Sequence, residues 1–378
     1  METLFTSPQG EFQLRRLPYR NNEVLRAWDA ADEYLLHYVA ETAKPELNAN
    51  IVIVNDSFGA LTVALHAYAP SAISDSFLSR QATLDNLRNN NLDAARVTLL
   101  DSLTVPESAI DYLLIKIPKT LGLLEYQLHV LRPMLKPTSK VIAAGMVKNM
   151  PPTAWKLFER LVGPTRPSLT VKKARLIFAD FDPDLTVPTN PYPIKYPLEN
   201  SAWLISNHAN VFSRDSLDIG TRFLLQHLPE NAAYREVIDL GCGNGVVGMK
   251  LAEALPEARI SFIDESFMAI ASARENFSAA FGDSRRAQFI AGDGLNGVAD
   301  SSADCIVCNP PFHQQHAIGD QIAWCMFQQA QRVLRPGGEL RVIGNRHLNY
   351  HQSLKKLFGN WEAVANNSKF SIVKTVKR

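Results

Sequence analysis

Five segments of this chain occur twice in the same order, and a repeated order of strands and helices points to a duplicated domain. IVIVNDSFGAL (51–61) has its counterpart in VIDLGCGNGVVG (237–248), and AISDSFLSRQATLDNLRNN (72–90) parallels SFIDESFMAIASARENFSAA (261–280). TLLDS (98–102) parallels FIAGDG (289–294), and DYLLIKIPKT (111–120) parallels DCIVCNPPF (304–312). VLRPMLKPTSKVIAAG (130–145) parallels VLRPGGELRVIGN (333–345). In both halves short β-branched runs alternate with longer stretches of helical spacing, the pattern of an α/β domain with helices on a mostly parallel sheet. Phe181–Pro197 holds five of the 22 prolines and reads as a linker. The expected organisation is a domain over 1–180, a linker over 181–197 and a second domain over 198–378.

A chain of 378 residues with 46% hydrophobic and 20% charged residues has the composition of a globular protein, not a disordered one. No apolar run approaches the roughly 20 residues that cross a bilayer, so no membrane partner is expected. The start METLFTSPQGEFQLRRLPYR lacks the pattern of a secretory signal, which makes a cytoplasmic location the expectation. Cys242, Cys305, Cys308 and Cys325 are too few for a disulfide framework. Cys305 and Cys308 lack a second pair at zinc spacing; they read as buried strand residues, and no metal is expected. The net charge of +1 says nothing about an anionic partner. Locally, Lys172, Lys173 and Arg175, and the tail with Lys369, Lys374, Lys377 and Arg378, fit solvated faces better than nucleic-acid contacts.

The sharpest motif is Val237–Gly245, VIDLGCGNG, a strand running into a glycine turn that opens a helix at Val246. Glycines let the backbone approach a ligand closely. Asp239 ahead of them suits a ligand with an ammonium group. Asp264 ends the next strand, where a carboxylate accepts from both ribose hydroxyls of a nucleoside. Asp293, after Phe289–Gly292, is placed to accept from an adenine amino group. A single acid at a strand end is more often a cap or turn residue, but three at successive strand ends behind a glycine turn form a nucleoside-binding pattern.

Asn309-Pro310-Pro311-Phe312 follows the strand Ala303–Cys308 directly. Prolines terminate strands, which accounts for the pair but not for the asparagine before it or the aromatic after it. An amine conjugated to a ring is a poor nucleophile. Hydrogen bonds from its N–H groups to the Asn309 side-chain oxygen and the Pro310 carbonyl favour the pyramidal nitrogen of a methyl-transfer transition state. Phe312 would stack on the base and aim it.

On these residues the second half resembles the class I S-adenosylmethionine-dependent methyltransferases with an N-P-P-[FY] motif. The full length is similar to the RlmG/RsmC-type tandem rRNA guanine-N2 methyltransferases. NHANVFSRDSLDIGTR (207–222), VIDLGCGNGVVG, FIDES (262–266), VCNPPFHQQHA (307–317) and GNRHLNYHQSLKKLFG (344–359) carry the match. The resemblance implies two tandem Rossmann-like domains, each a seven-stranded, mostly parallel sheet with helices on both faces, the first copy degenerate. It implies S-adenosylmethionine as cofactor, its methionine part on Asp239, Gly241 and Gly243, its ribose on Asp264 and its adenine near Asp293, with Asn244 and Asn309 also among its contacts. Asn309, Pro310 and Phe312 become the catalytic set. Val211–Arg214 with Asp218 and Gly220 would close over the cofactor, with Phe212, Arg214, Pro311 and His313 at the base pocket; Phe212 reads equally well as core, and His313 and His316 read better as loop lining than as bases.

The first copy has Asp56-Ser57-Phe58-Gly59 for the glycine turn and Lys116-Ile117-Pro118-Lys119 for N-P-P-F, which removes the amide oxygen and the stacking ring. Asp75 and Asp101 persist there. Lys116 and Lys119, with Lys172, Lys173 and Arg175, suit phosphate contacts, so this half is expected to grip RNA or shape the second half. The resemblance implies 23S rRNA as partner, free or partly assembled, since the base must be unpaired or flipped out. N-P-P-F also serves adenine-N6 and glutamine-N5 methylation. Adenine-N6 methylation and a non-catalytic RNA-binding or chaperone role are the competing readings.

Overall fold

The computed structural model describes residues 2–19, 23–282, 286–311 and 316–378, with the backbone alone for 316–320. The chain divides into two compact units, residues 1–192 and 193–378. The first contains β1 (Ile51–Val54), β2 (Ser71–Ser74), β3 (Thr98–Asp101), β4 (Ile110–Lys116), β5 (Leu135–Met146), β6 (Thr165–Pro167) and β7 (Ala174–Asp180). The second contains β8 (Glu236–Leu240), β9 (Arg259–Asp264), β10 (Ala287–Ala291), β11 (Ala303–Cys308), β12 (Leu334–Asn345), β13 (Glu362–Asn366) and β14 (Phe370–Val376). The sheet orders are β3-β2-β1-β4-β5-β7-β6 and β10-β9-β8-β11-β12-β14-β13, the same topology twice. Only the last two pairings of each are antiparallel. Strand order reverses between β8 and β11, and in such sheets ligands bind beyond the carboxyl ends of the strands at that reversal. The glycine turn and the N-P-P-F motif follow those two strands.

Helices cover both faces of the second sheet, which is why its central strands are nearly all apolar. Val237, Cys305 and Val307 pack on one face with Phe262 and Phe277, whereas Ile238, Ile306 and Cys308 pack on the other with Phe327 and Leu354. Side chains alternate along a strand, so Cys305 and Cys308 point to opposite faces and cannot share a metal. On the first face Phe262 stacks on Phe289 at 4.9 Å and meets Phe277 edge-on at 5.4 Å. Among the described residues no helix is long and apolar enough to cross a membrane. Within the stretch read as a linker, Ile194–Pro197 is a strand paired antiparallel with Leu204–Asn207. Alternation explains it: Tyr196 is buried while its neighbours Lys195 and Pro197 are exposed, and proline is tolerated on a two-stranded edge.

One buried amide recurs in both units. Asn276 Oδ1 accepts the Ser206 N–H at 2.7 Å, and its Nδ2 donates to the carbonyls of Ser206 (2.9 Å) and Asn244 (3.0 Å). In the first unit Asn86 Oδ1 accepts the Arg15 N–H at 2.9 Å, and its Nδ2 donates to the carbonyls of Arg15 (2.9 Å) and Phe58 (2.8 Å). Each clasp ties a separate two-stranded hairpin to the turn after the first sheet strand: Ser206 lies in the strand Leu204–Asn207, and Arg15 lies just past the hairpin of Leu4–Ser7 and Gly10–Gln13.

Strand register aligns the copies residue by residue and corrects two correspondences. Gly59 and Gly245 hold the same left-handed turn, φ 82° in both. Val54 therefore matches Leu240; these pair with Ile115 and Cys308, so the residues that follow, Lys116 and Asn309, occupy one position. Ser76 and Ser266 cap equivalent helices, which puts Ser74, not Asp75, opposite Asp264. Ser74 pairs with Asp101 and Asp264 with Ala291, so Asp101 is not the counterpart of Asp293 either. A one-residue slip reverses the facing of a strand residue, which removes Asp75, and Asp101 stands two positions short of the place of Asp293, so the first copy lacks both acids.

Asn276→Ala would strand a backbone N–H and two carbonyls, and is expected to destabilise the second unit by about 2 kcal/mol or more. Urea unfolding of the intact chain measures this as a lowered midpoint; an unshifted midpoint refutes the clasp.

Candidate active site

The turn after β8 is held from β9. The Gly241 and Cys242 N–H groups both donate to the Ile263 carbonyl, at 2.8 and 3.1 Å. Gly243 N–H donates to Asp264 Oδ2 at 2.9 Å, and Ser266 N–H to Asp264 Oδ1 at 3.0 Å. The glycines divide their work. A Cβ on Gly248 would lie 2.2 Å from the Phe262 ring, so Gly248 lets the helix Val246–Ala254 seat on the sheet. Gly243 sits at φ 54° and a Cβ there would meet nothing within 4 Å, so this glycine opens onto free space at the carboxyl end of the sheet. Ser57 takes that place in the first copy, and the ring of the adjacent Phe58 lies 4.4 Å under the Arg16 guanidinium.

Asp239 is 3% exposed, and its Oδ2 accepts the Gly248 N–H at 2.8 Å. Burial pushes its carboxyl up to about 7, the Gly248 amide opposing and the Asp264 charge adding. Burial also raises Asp264, against the amides of Ser266, Gly243 and Glu265. Asp293 is half-buried, and its Oδ2 accepts from Asn296 Nδ2 at 2.7 Å. Gln329 pins the same loop, its Oε1 accepting the Leu295 N–H at 2.8 Å.

Asn309 follows β11 immediately, and its carbonyl lies 3.5 Å from the position of a Cβ on Gly241, which brings the two motifs together. Its Nδ2 donates to Thr221 Oγ1 at 3.2 Å, while its Oδ1 is buried with no hydrogen-bond partner among the described residues. Buried acceptors are seldom left unmade, which makes this oxygen a candidate for a donor from a ligand. Pro310 is buried and Pro311 exposed; Phe312 and His313 lie outside the described residues.

Two other candidates, Asn244 and Arg214, have duties inside the protein. The Asn244 amide donates to Tyr196 Oη (3.1 Å) and Asn207 Oδ1 (2.9 Å), and its oxygen accepts the Val246 N–H (3.3 Å), so it fastens the edge hairpin to the turn. Arg214 donates to the Ala209 carbonyl at 3.0 Å and faces Asp215. Phe212 is 54% exposed and is not core. Sequence reasoning missed Tyr196, Asn207, Asn276 and Thr221. Only Thr221 left a local signal: it stands three residues after the helix cap Asp218, whose Oδ2 accepts its N–H.

In the first copy an ion pair takes the place of the Asn309 amide. Lys116 Nζ is 2.8 Å from Asp29 Oδ1 and 2.7 Å from Asp32 Oδ1. Burial lowers the Lys116 pKa, but the two carboxylates outweigh it and the net direction is up. Burial holds Asp32 at about 6 despite the ammonium beside it. The expectation that Lys116 contacts phosphate is therefore corrected, because its charge is neutralised inside the unit. Lys119, Lys172 and Lys173 are exposed, with Lys172 also 2.8 Å from Glu33. Among the described residues no cluster of three or more His, Cys, Asp or Glu side chains could hold a metal ion.

Comparison with known proteins agrees with this division. Residues 2–183 match the RLMG N-terminal domain family, and residues 202–374 match the methyltransferase small domain family. The chain is 49% identical over 383 residues to the ribosomal RNA large subunit methyltransferase G of Streptomyces avermitilis, covering 100% of both. It is 50% identical over 382 residues to the protein of that name from Aeromonas salmonicida, again covering 100% of both. In fold it is similar to a T. thermophilus 16S rRNA N2 methyltransferase (RsmC) solved in complex with AdoMet and guanosine. That likeness has TM-score 0.77 and 18% identity, and covers 100% of this chain and 98% of the other.

The raised Asp239 carboxyl makes a pH prediction. An unfolded aspartate titrates near 4, so between about pH 4 and 7 the unfolded chain has lost a proton that the folded chain keeps. This group therefore makes stability fall as pH rises through that window, by at most about 1.4 kcal/mol per pH unit. Asp239→Asn keeps an acceptor for Gly248 and is expected to flatten the profile and stabilise the protein above about pH 7. Urea midpoints across this range check it, and parallel profiles for the two proteins refute it.

Proposed function

The chain belongs to the ribosomal RNA large subunit methyltransferase G family, an rRNA-methylating family that uses S-adenosylmethionine, and from that premise we propose that its second unit methylates the exocyclic 2-amino group of one guanine in 23S rRNA. The observation that carries the reading is the unpartnered Asn309 Oδ1, a buried acceptor beside the glycine turn. When bound, the cofactor supplies a methyl group on a sulfonium, an electrophile that needs no protein acid or metal to activate it.

The protein's part is to bind and orient. Gly243 gives the cofactor room against the backbone, and Asp239, Gly241 and Asp264 lie around that space as its proposed contacts, with Asp293 at the adenine end. Asn244 serves indirectly by fixing the turn. Asn309 Oδ1 and the Pro310 carbonyl accept the two N–H groups of the guanine amine, drawing its nitrogen toward the tetrahedral geometry of an attacking lone pair. Phe312 stacks on the base, and Phe212, Arg214, Pro311 and His313 line its approach. The work is positional, the kind of catalysis that converts an encounter into a near-attack geometry. The base must leave its helix to reach Asn309, which favours protein-poor or partly assembled rRNA in the cytoplasm.

The first unit keeps the scaffold without the chemistry and is proposed to hold RNA through Lys119, Lys172 and Lys173. Changing these three to Glu is expected to weaken rRNA binding at least about tenfold and to lower its salt dependence by about two to three charges. The rate at saturating RNA should be preserved; unchanged affinity removes this role.

The reaction itself is tested by incubating the protein with unmodified 23S rRNA and methyl-labelled cofactor, digesting the RNA and identifying the labelled nucleoside. N2-methylguanosine is expected, reduced about a hundredfold or more in Asn309→Ala. N6-methyladenosine overturns the base, and absence of label on any rRNA leaves an RNA-binding module.

A further inference from the structure

An asparagine side chain serves the proposed transfer in only one of its two orientations. With the oxygen toward the substrate it accepts an amine N–H; turned over, it presents a second donor to a donor. The hydrogen bonds behind Asn309 decide between them. Asp218 Oδ2 accepts the Thr221 N–H at 2.9 Å and lies 3.3 Å from Thr221 Oγ1. An ionised carboxylate has no proton to give, so the single hydroxyl hydrogen of Thr221 is directed at Asp218. Thr221 Oγ1 therefore meets Asn309 with a lone pair, and the group it meets at 3.2 Å must be the Nδ2 amide. Oδ1 is left facing away, buried and without a partner among the described residues.

The first unit supplies the control. Asp29 caps its helix as Asp218 does, Asp32 stands three residues later as Thr221 does, and Lys116 takes the place of Asn309. The contact between this helix and the end of the fourth strand survives there as an ion pair, Lys116 to Asp32 and Asp29. Tying helix to strand is thus common to both units. A neutral hydroxyl accepting from a neutral amide is peculiar to the second, and it alone leaves an acceptor over.

We propose that Thr221, oriented by Asp218, is a positioning residue that sets the polarity of the Asn309 amide and so presents Oδ1 to the substrate amine. The inference rests on the guanine-methylation reading and deepens it. Thr221→Val keeps the side-chain volume and the N–H that Asp218 caps, and removes only the hydroxyl. Its kcat is expected to fall about 10- to 100-fold, as for one lost hydrogen bond acting in the transition state. The dissociation constant for S-adenosylmethionine and the thermal midpoint should stay near those of wild type, and Thr221→Ser should regain most of the lost rate. In the intact protein labelled with nitrogen-15, the Asn309 side-chain amide should be protected from exchange in wild type and lose protection in Thr221→Val. A Thr221→Val kcat within about twofold of wild type overturns the proposal. So does a loss of cofactor affinity and thermal stability in step with kcat, unrescued by serine, or an unprotected wild-type amide. The amide readout tests the polarity whatever the substrate, so a wild type that labels no guanine refutes the functional reading alone.

Discussion

The turn that faces the open end of the second sheet is held from β9 and also, on its other side, by a buried side-chain amide. Asn276 spends its oxygen and both its hydrogens on three backbone groups, joining Ser206 of the edge hairpin to Asn244 of the glycine turn. Left unpaired in a 2% exposed setting, each of those groups would cost about 1–3 kcal/mol. Asn244 then extends the tie with its own side chain to Tyr196 and Asn207. Everything beyond, from the Gly243 opening to the Asp264 bonds that curl the turn over β9, is placed relative to that fixed point.

The duplication separates what the fold requires from what the chemistry requires. Both units keep the asparagine clasp, the left-handed glycine before the first helix, the strand order and a capped helix reaching the fourth strand. They part company at three positions around the opening: Gly243 against Ser57, Asp264 against Ser74 and Asn309 against Lys116. The first unit replaces each, and at Lys116 the replacement is an ion pair with Asp29 and Asp32. A buried ion pair with its partners in place is a stable end point, since removing either member strands a charge.

Much of this was legible in the sequence. The repeated segments are strands and helices in the order read, because hydrophobic periodicity and capping residues act within a few positions of themselves. The C-x-x-C pair is structural for a reason the sequence also contains, since residues three apart on a strand face opposite ways. Less legible were contacts between residues far apart in the chain. Asp75 looks like the counterpart of Asp264 when the strings are aligned, but the strand pairing sets Ser74 there. Asn244 lies inside the glycine motif and invites a ligand role, yet its amide is consumed by Tyr196 and Asn207, which stand 48 and 37 residues away.

The duplicated α/β architecture, the glycine turn and the amide oxygen offered after β11 are all readable from residue types at short spacing. What Lys116 pairs with and which way the Asn309 amide points were settled by packing. Those outcomes depend on partners brought together through space: Lys116 on Asp29 and Asp32, 87 and 84 positions away, and Asn309 on Thr221, 88 positions away. A hydrogen bond is satisfied by distance and angle, not by sequence separation, so its direction is fixed when the helices and strands have packed.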